Sequence, residues 1–384
     1  MIVIVGAGPA GIAAALQVRE FGLAFTVIDD NPTAGGQIWR GDADRTRMLG
    51  GELRTGTRVL SIDAAAHTLL VEDADGARWV PYSKLILATG SRELLLPFPG
   101  WTLPGVFGAG GLQALVKSGL KVGGKRVVVA GTGPLLLAVA ALLRAKGANV
   151  RLIAEQAPVS AMAGFAAALL RRPAKLLQGA GLGWSLAGVP YLPNCWVTSA
   201  EGAGQVERVT LRRGAKTFTE ECDYAAIGYG LVPNDELRAL AGDSEDVIVA
   251  ETGDVEYAWL AGEAAGYRAA GRPLEESALV AARAFDAALQ GAFALRPELR
   301  ELASPETLVC RCEDVSHARL TAWGSFRAAK LQTRCGMGPC QGRVCGAAVR
   351  FLFGWPDTSV RPPAFPARIA SLAIQEPVTN GDKL

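Results

Sequence analysis

The chain has 384 residues, half of them apolar, which is enough for two or three domains with buried cores. Charged residues make up 20%, which excludes a disordered or fibrous chain, and 39 Lys+Arg against 37 Asp+Glu with no long basic block argues against nucleic acid as a partner. No run approaches ~20 uninterrupted apolar residues, so no membrane span is expected, and two histidines, His67 and His317, leave little for a Ser-His-Asp triad or a His-rich metal site.

The first β-branched run begins at Ile2 and leaves no room for a signal peptide, so a cytoplasmic location is expected. Ile2–Val5 suits a buried parallel strand, and Gly6, Gly8 and Gly11 then form a G-x-G-x-x-G turn. Residues 12–21 read as a helix and Thr26–Ile28 as a second strand ending in Asp29. Gly6 permits the tight turn, Gly8 lets backbone N–H groups approach a pyrophosphate, and Gly11 lets helix and strand pack closely. The helix N-terminus favours phosphate, and Asp29, 18 residues past Gly11, can accept from a ribose diol.

Lys84–Ala88 is an apolar strand that runs into Thr89-Gly90. The opening pattern returns at an offset of 125 residues, where Gly131, Gly133, Pro134 and Gly147 repeat Gly6, Gly8, Pro9 and Gly22. Leu136 replaces the third glycine, which should separate helix from strand and narrow the pocket against a dinucleotide. Glu155 ends the matching second strand, so this fold either meets a ribose or is kept for shape alone. A further strand ends near Ile227-Gly228, and Ala258–Ala261 reads as a strand running into Gly262-Glu263 and an alanine-rich helix to about Gln290. Leu103-Pro104-Gly105 and Val232-Pro233-Asn234 are the expected crossings between two nested folds.

Of seven cysteines, Cys195 and Cys222 stand alone, while Cys310, Cys312, Cys335, Cys340 and Cys345 crowd into 36 residues. Without a secretory signal, such a cluster reads as a metal site and not as a disulfide framework. Cys310 and Cys312 flank one residue, and Cys340 and Cys345 flank four in a glycine-rich loop. Four thiolates on two loops suit a [2Fe–2S] cluster, whereas structural zinc prefers C-x2–4-C pairs. Gly336, Gly338 and Gly342 let backbone N–H groups reach the sulfurs, and a helix starting at Cys345 offsets the negative charge. Cys335 is surplus and could replace Cys340 if the loop folds differently. After Trp355, five prolines from Pro356 to Pro377 read as an extended arm.

GAGPAG, Gly35–Arg40 (GGQIWR), Leu87–Gly90 (LATG), PFPGWTLPGV at 97–106, GTGPLLL, GYGLVPN and the closing VCRC…RCGMGPCQGRVC carry a resemblance over nearly all of 1–376. Together they resemble the larger flavin- and cluster-binding subunit of heteromeric, dye-linked amine and imino-acid dehydrogenases. That group includes hydrogen cyanide synthase B, opine oxidase A and a D-hydroxyproline dehydrogenase subunit. The C-terminal module resembles bacterioferritin-associated ferredoxin. The stretches from Arg40 to Leu53 and from Leu240 to Ala258 are short by family standards, and Glu263 stands where the family has Asp.

The resemblance implies an α/β fold with two nested Rossmann-like dinucleotide-binding domains, as in glutathione and thioredoxin reductases, plus a small helical [2Fe–2S] module. Residues 1–107 and 231–300 would bind FAD, 108–230 would form the second nucleotide fold, 301–356 the cluster module and 357–384 the arm. Gly6, Gly8, Ala10, Gly11, Asp29, Gln37, Thr89, Gly90, Gly262 and Glu263 would line the FAD. Cys310, Cys312, Cys340 and Cys345 would hold the cluster. The implied partners are a D-amino-acid-oxidase-like FAD-dependent β subunit, in some members also a small third subunit, FMN at the interface between chains, and an electron acceptor, with any membrane contact made through those partners. No His or Lys constellation marks a substrate-oxidising site in this chain, so no catalytic residue is assigned. The second fold lacks the Cys-x-x-Cys of thioredoxin reductases, which excludes disulfide reduction. Two rivals stand beside this reading: a self-sufficient NAD(P)H oxidoreductase with nicotinamide at 131–136, and a non-catalytic scaffold.

Overall fold

The computed structural model describes residues 1–40, 42–356 and 360–374. The chain divides into two compact units, one made of Met1–Arg92, Pro233–Asp286 and residues 360–374, the other of Glu93–Val232 and Ala287 onwards to the end of the cysteine-rich stretch.

Short runs of buried β-branched and leucine residues become the central strands of the first unit, because only a parallel sheet covered on both faces hides such runs completely. The order across the sheet is Val247–Val249, Lys84–Leu87, Ile2–Val5, Phe25–Ile28, Leu53–Arg54, all parallel. Val5 lies level with both Leu87 and Ile28, so the Gly6 turn, Thr89-Gly90 and Asp29 emerge together at the carboxyl edge. That edge is where open α/β sheets place ligands. An antiparallel meander of Arg58–Asp63, Thr68–Asp73 and Gly76–Pro81 completes the unit.

The second unit repeats the plan. Its parallel sheet runs Tyr191–Pro193, Asn149–Glu155, Arg126–Gly131, Tyr224–Gly228, Val106–Phe107, and its meander is Cys195–Glu201, Arg208–Arg213, Lys216–Glu221.

Three features differ from the sequence expectation. The first crossing falls at Arg92/Glu93 and not at Leu103–Gly105, because Leu94, Leu96, Phe98 and Trp101 are buried with Trp196, Leu211 and Ile227 in the second unit's core. The cysteine-rich segment belongs to that same unit, where Leu299 and Leu302 are buried and Ala347 and Phe351 pack against them. Finally, Ala258–Ala261 is not a strand. It lies inside the helix Val255–Ala269, whose start is fixed by the Asp254 carboxylate accepting from Tyr257 N at 3.0 Å. Tyr257, Ala258, Ala261, Gly262, Ala265 and Ala269 are its buried face, a spacing of three and four that a strand cannot bury. The described part of the arm packs within the first unit: Ala364 N donates to Leu60 O at 2.7 Å and Arg368 N to Glu72 Oε2 at 3.0 Å. Pro377 lies outside the described residues.

Candidate functional site

The first glycine turn is an open backbone cradle. A Cβ on Gly11 would sit 1.7 Å from Gly6 O, so only glycine allows the helix Pro9–Glu20 to approach the turn. At Gly8 the nearest atom to such a Cβ is Gly36 Cα at 4.0 Å, while one on Gly36 would sit 3.1 Å from Gly8 Cα. Two bare backbones therefore face each other, held by Gly35 N donating to Ala7 O at 2.7 Å. The buried Asp29 carboxylate accepts from Ala7 N at 2.6 Å and from Asn31 N and Nδ2, both at 2.8 Å. Thr89 Oγ1 donates to Asn234 O at 2.6 Å, and Asn234 Nδ2 returns a bond to Thr89 O at 2.9 Å, fixing the Thr89-Gly90 bend. Gln37 Oε1 accepts from Arg40 Nη2 at 2.9 Å.

Ala10, Gly262 and Glu263 stand differently from the rest. Ala10 is buried beneath the helix Val255–Ala269, and a Cβ on Gly262 would sit 2.0 Å from Ala10 O. Gly262 is thus the close-packing point of two helices and not a strand-end turn, and Glu263 Oε1 accepts from Trp259 Nε1 one turn earlier at 2.8 Å. A separate cleft of about 830 Å³ opens beside Leu53 and Arg54, next to the short 40–53 connection, and none of the expected flavin residues lines it.

The second glycine turn is roofed by the chain itself. Glu155 is fully buried and accepts from Gly133 N at 2.7 Å, Ala157 N at 2.8 Å and Thr132 Oγ1 at 3.1 Å. Burial pushes its carboxyl above the usual range, against the pull of those bonds. Gln156, equally buried, donates to Thr132 Oγ1 at 2.9 Å and Ala294 O at 3.1 Å and accepts from Arg296 N at 3.2 Å. Thr132 Oγ1 also lies 3.0 Å from Phe293 O, and Arg296 reaches Asn194 Oδ1 at 2.6 Å across the Trp196 ring. Leu136 is buried in the core among Val127, Val129 and Val139. Thr132 and Gln156, beside the strand-end acid, are spent on residues 293–296, a contact that no local motif announces.

The five clustered cysteines converge in two groups. The ligand atoms of Cys310, Cys335 and Cys345, all buried, lie within 4.8 Å of one another, with Cys335 Sγ 4.0 Å from Cys345 Sγ. Cys312, exposed, and Cys340, half-buried, form a second hydrogen-bonded pair. Cys335, expected to be surplus, is therefore in the tightest group. Bonds from the thiols of Cys335 and Cys345, with Gly336 N at 3.5 Å, pull the Cys310 thiol well below its usual range. The bond to Cys310 pushes Cys335 up to about 12 and Cys345 higher still. Three sulfurs at this spacing cannot all ionise alone, and a soft cation is what would let them, so the donor set fits an iron–sulfur or thiophilic centre. Gly338 permits the loop to lie on the C-x-C turn, since a Cβ there would meet Cys312 Cβ at 2.4 Å. Cys345 opens the helix Cys345–Phe353 as expected. Cys195 and Cys222 are fully buried, and burial raises them to about 11 and about 12, which makes them inert thiols.

Paired Rossmann-like units, each with an antiparallel meander, and an intact first glycine turn define an FAD-dependent oxidoreductase. The chain belongs to the pyridine nucleotide-disulphide oxidoreductase family, whose model matches residues 1–265. It is 32% identical to hydrogen cyanide synthase subunit HcnB of Pseudomonas aeruginosa, over 89% of this chain and 90% of that one. It is also 32% identical to opine oxidase A of Rhizobium meliloti, over 97% and 98%. Both belong to the group its motifs resemble. The latter alignment spans 455 positions against a 384-residue chain, so about 80 positions of that relative have no counterpart here. The fold matches that of L-proline dehydrogenase from P. horikoshii at TM-score 0.69 and 18% identity, covering 97% of this chain and 79% of that one. Thioredoxin reductase from T. acidophilum matches at 0.52 and 18%, over 70% and 97%. Among the described residues no helix is long and apolar enough to cross a membrane.

Proposed function

We propose that this chain is the FAD- and [2Fe–2S]-binding electron-transfer subunit of a heteromeric amino- or imino-acid dehydrogenase, relaying electrons from a partner flavoprotein to an acceptor. The observation that carries this reading is the convergence of five cysteine sulfurs in a chain whose first dinucleotide turn is open. Gly6, Gly8, Gly11, Asp29, Gln37, Thr89 and Gly90 would hold FAD, with Ala10 supporting the turn from beneath. Cys310 and Cys345 from the buried group, with Cys312 and Cys340 from the outer pair, would hold the cluster. When bound, these groups supply reversible uptake of one or two electrons.

The protein's own residues orient and tune. Gly8 and Gly36 present bare backbone, so a pyrophosphate beside them would meet no side chain there, and the helix beginning at Pro9 would stabilise its charge. Asp29 is positioned at the strand end by Ala7 and Asn31, which fill Oδ1 and leave one lone pair on Oδ2 for a ribose. Gly336 N and the start of the helix at Cys345 offset negative charge on the sulfurs. Both relatives carry the name of one component of a larger enzyme, which supports a partner chain of the D-amino-acid-oxidase-like FAD type. FMN, where present, would sit at that interface. The roofed second turn weighs against the NAD(P)H reductase reading.

Anaerobic absorbance and metal analysis test this reading. Purified protein should show flavin bands plus a broad cluster absorbance, contain iron, and bleach with dithionite but not with NADH. Zinc in place of iron, or rapid bleaching by NADH alone, overturns it.

A further inference from the structure

Five cysteine sulfurs converge where a [2Fe–2S] cluster takes four, so one thiol is left beside the ligands. In the ligand set given above that thiol is Cys335. Its side chain is fully buried, its backbone N–H donates to Thr333 Oγ1 at 3.2 Å, and Thr333 Oγ1 donates to Ala329 O at 2.6 Å. Those bonds tie Cys335 to the end of the helix Phe326–Thr333, and Arg334 (φ 66°) and Gly336 (φ 79°) turn the chain on either side of it. The protein itself, without a metal, therefore sets where this sulfur lies.

Its position aims the S–H at other sulfurs. Cys345 Sγ is 4.0 Å away and the Cys310 sulfur lies within 4.8 Å. The other side chains buried in this core, among them Val309, Leu320, Phe326 and Val349, are apolar and offer no acceptor. Burial beside two anionic ligand sulfurs disfavours a third negative charge, so the fifth sulfur keeps its proton. A hydrogen bond to a ligating sulfur draws off negative charge and favours the reduced, more negative centre. We infer that Cys335 tunes the cluster without ligating it: its S–H donates to the sulfur of Cys310 or Cys345 and raises the potential at which the centre takes up an electron. Cys335 is thus a positioning residue that acts through two ligands. The inference rests on the [2Fe–2S] reading above.

Three measurements on the full chain test this: iron and flavin content, a redox titration followed by the reduced-state EPR signal, and the Fe–S stretching bands in H2O and D2O. Cys335→Ala should keep the parent's iron and flavin, shift the midpoint potential downward, and lose part of the D2O shift of those bands. Cys335→Val, closer in volume to cysteine but equally without a donor, should do the same and covers the case in which alanine leaves a damaging hole. Cys335→Ser restores a donor and should return the potential toward the parent value. An unchanged potential in the alanine and valine variants at full iron, or the same downward shift in the serine variant, overturns the inference and leaves the cluster reading intact. Iron lost in all three variants makes Cys335 a ligand and overturns it together with the ligand set. A parent protein that contains no iron removes the cluster reading itself, and this inference with it.

Discussion

The two units share one plan and surround its glycine turn differently. In the first, the neighbour that a Cβ on Gly8 would approach is the bare backbone of Gly36, and Asp29 accepts from Ala7 N, Asn31 N and Asn31 Nδ2 at its own strand end. In the second, Glu155 is likewise held by its own turn, through Gly133 N, Ala157 N and Thr132 Oγ1, but Thr132 and Gln156 bond the carbonyls of Phe293 and Ala294, and the unit carries the cysteine cluster. The contrast lies in what lies beside each glycine turn: bare backbone in the first, residues 293–294 of the same unit in the second.

Four measurements can break or sharpen that contrast, and the largest effect concerns the second unit's cysteines. Cys310→Ser or Cys345→Ser should remove essentially all cluster iron and the reduced-state EPR signal, while Cys335→Ser keeps both. Signal lost in Cys335→Ser and retained in Cys340→Ser would replace one ligand by the other. Next, Gly8→Val places a branched side chain where the pyrophosphate must lie, and flavin absorbance per protein should fall at least about tenfold, since a bound phosphate loses both space and backbone donors. Full-strength flavin in that variant would move the site elsewhere.

A smaller effect is expected at the roof. Glu155→Ala strips the acceptor from Gly133 N and Ala157 N and should lower stability by about 2–4 kcal/mol, read by denaturant unfolding, with flavin content unchanged. A gain of NADH binding without loss of stability would mean the roof is a movable lid. The smallest change is Gly262→Ala, whose Cβ would press on Ala10 O and should cost about 1–3 kcal/mol by prising two helices apart. Flavin loss at unchanged stability would instead return Gly262 to a strand-end turn.

The sequence carried the glycine turns, their strands and Cys345 at a helix start, because each depends on a few adjacent residues. It misled at Ala258–Ala261, where a short apolar run ahead of Gly-Glu reads as a strand although alanine favours helix, and the Asp254 cap and the spacing of the buried face decide. It was silent about the roof, since Phe293 and Thr132 meet across 161 residues. It also left Cys335 among alternatives, because the fold of the Gly336–Gly342 loop, and not spacing, sets which sulfurs meet. The first crossing was misplaced for a related reason: the prolines and glycines at 103–105 mark a turn, but burial of Leu94 and Leu96 assigns the preceding segment.

The interleaving of the chain has a consequence for synthesis. Strand Val247–Val249 covers Lys84–Leu87, and Ala364 bonds Leu60, so the amino-terminal unit waits for residues far downstream. The parallel sheet of the other unit, by contrast, is drawn wholly from residues 106–228 and can close first. Until then the edge of Leu85 and Ile86 stays unpaired on the ribosome, a sticky strand open to chaperones or to neighbouring nascent chains. Nascent chains arrested with Gly228 outside the ribosome and Val247 still within it should accordingly resist protease over the later-synthesised sheet and be cut within the earlier one, and protection in the reverse order would refute this sequence of events.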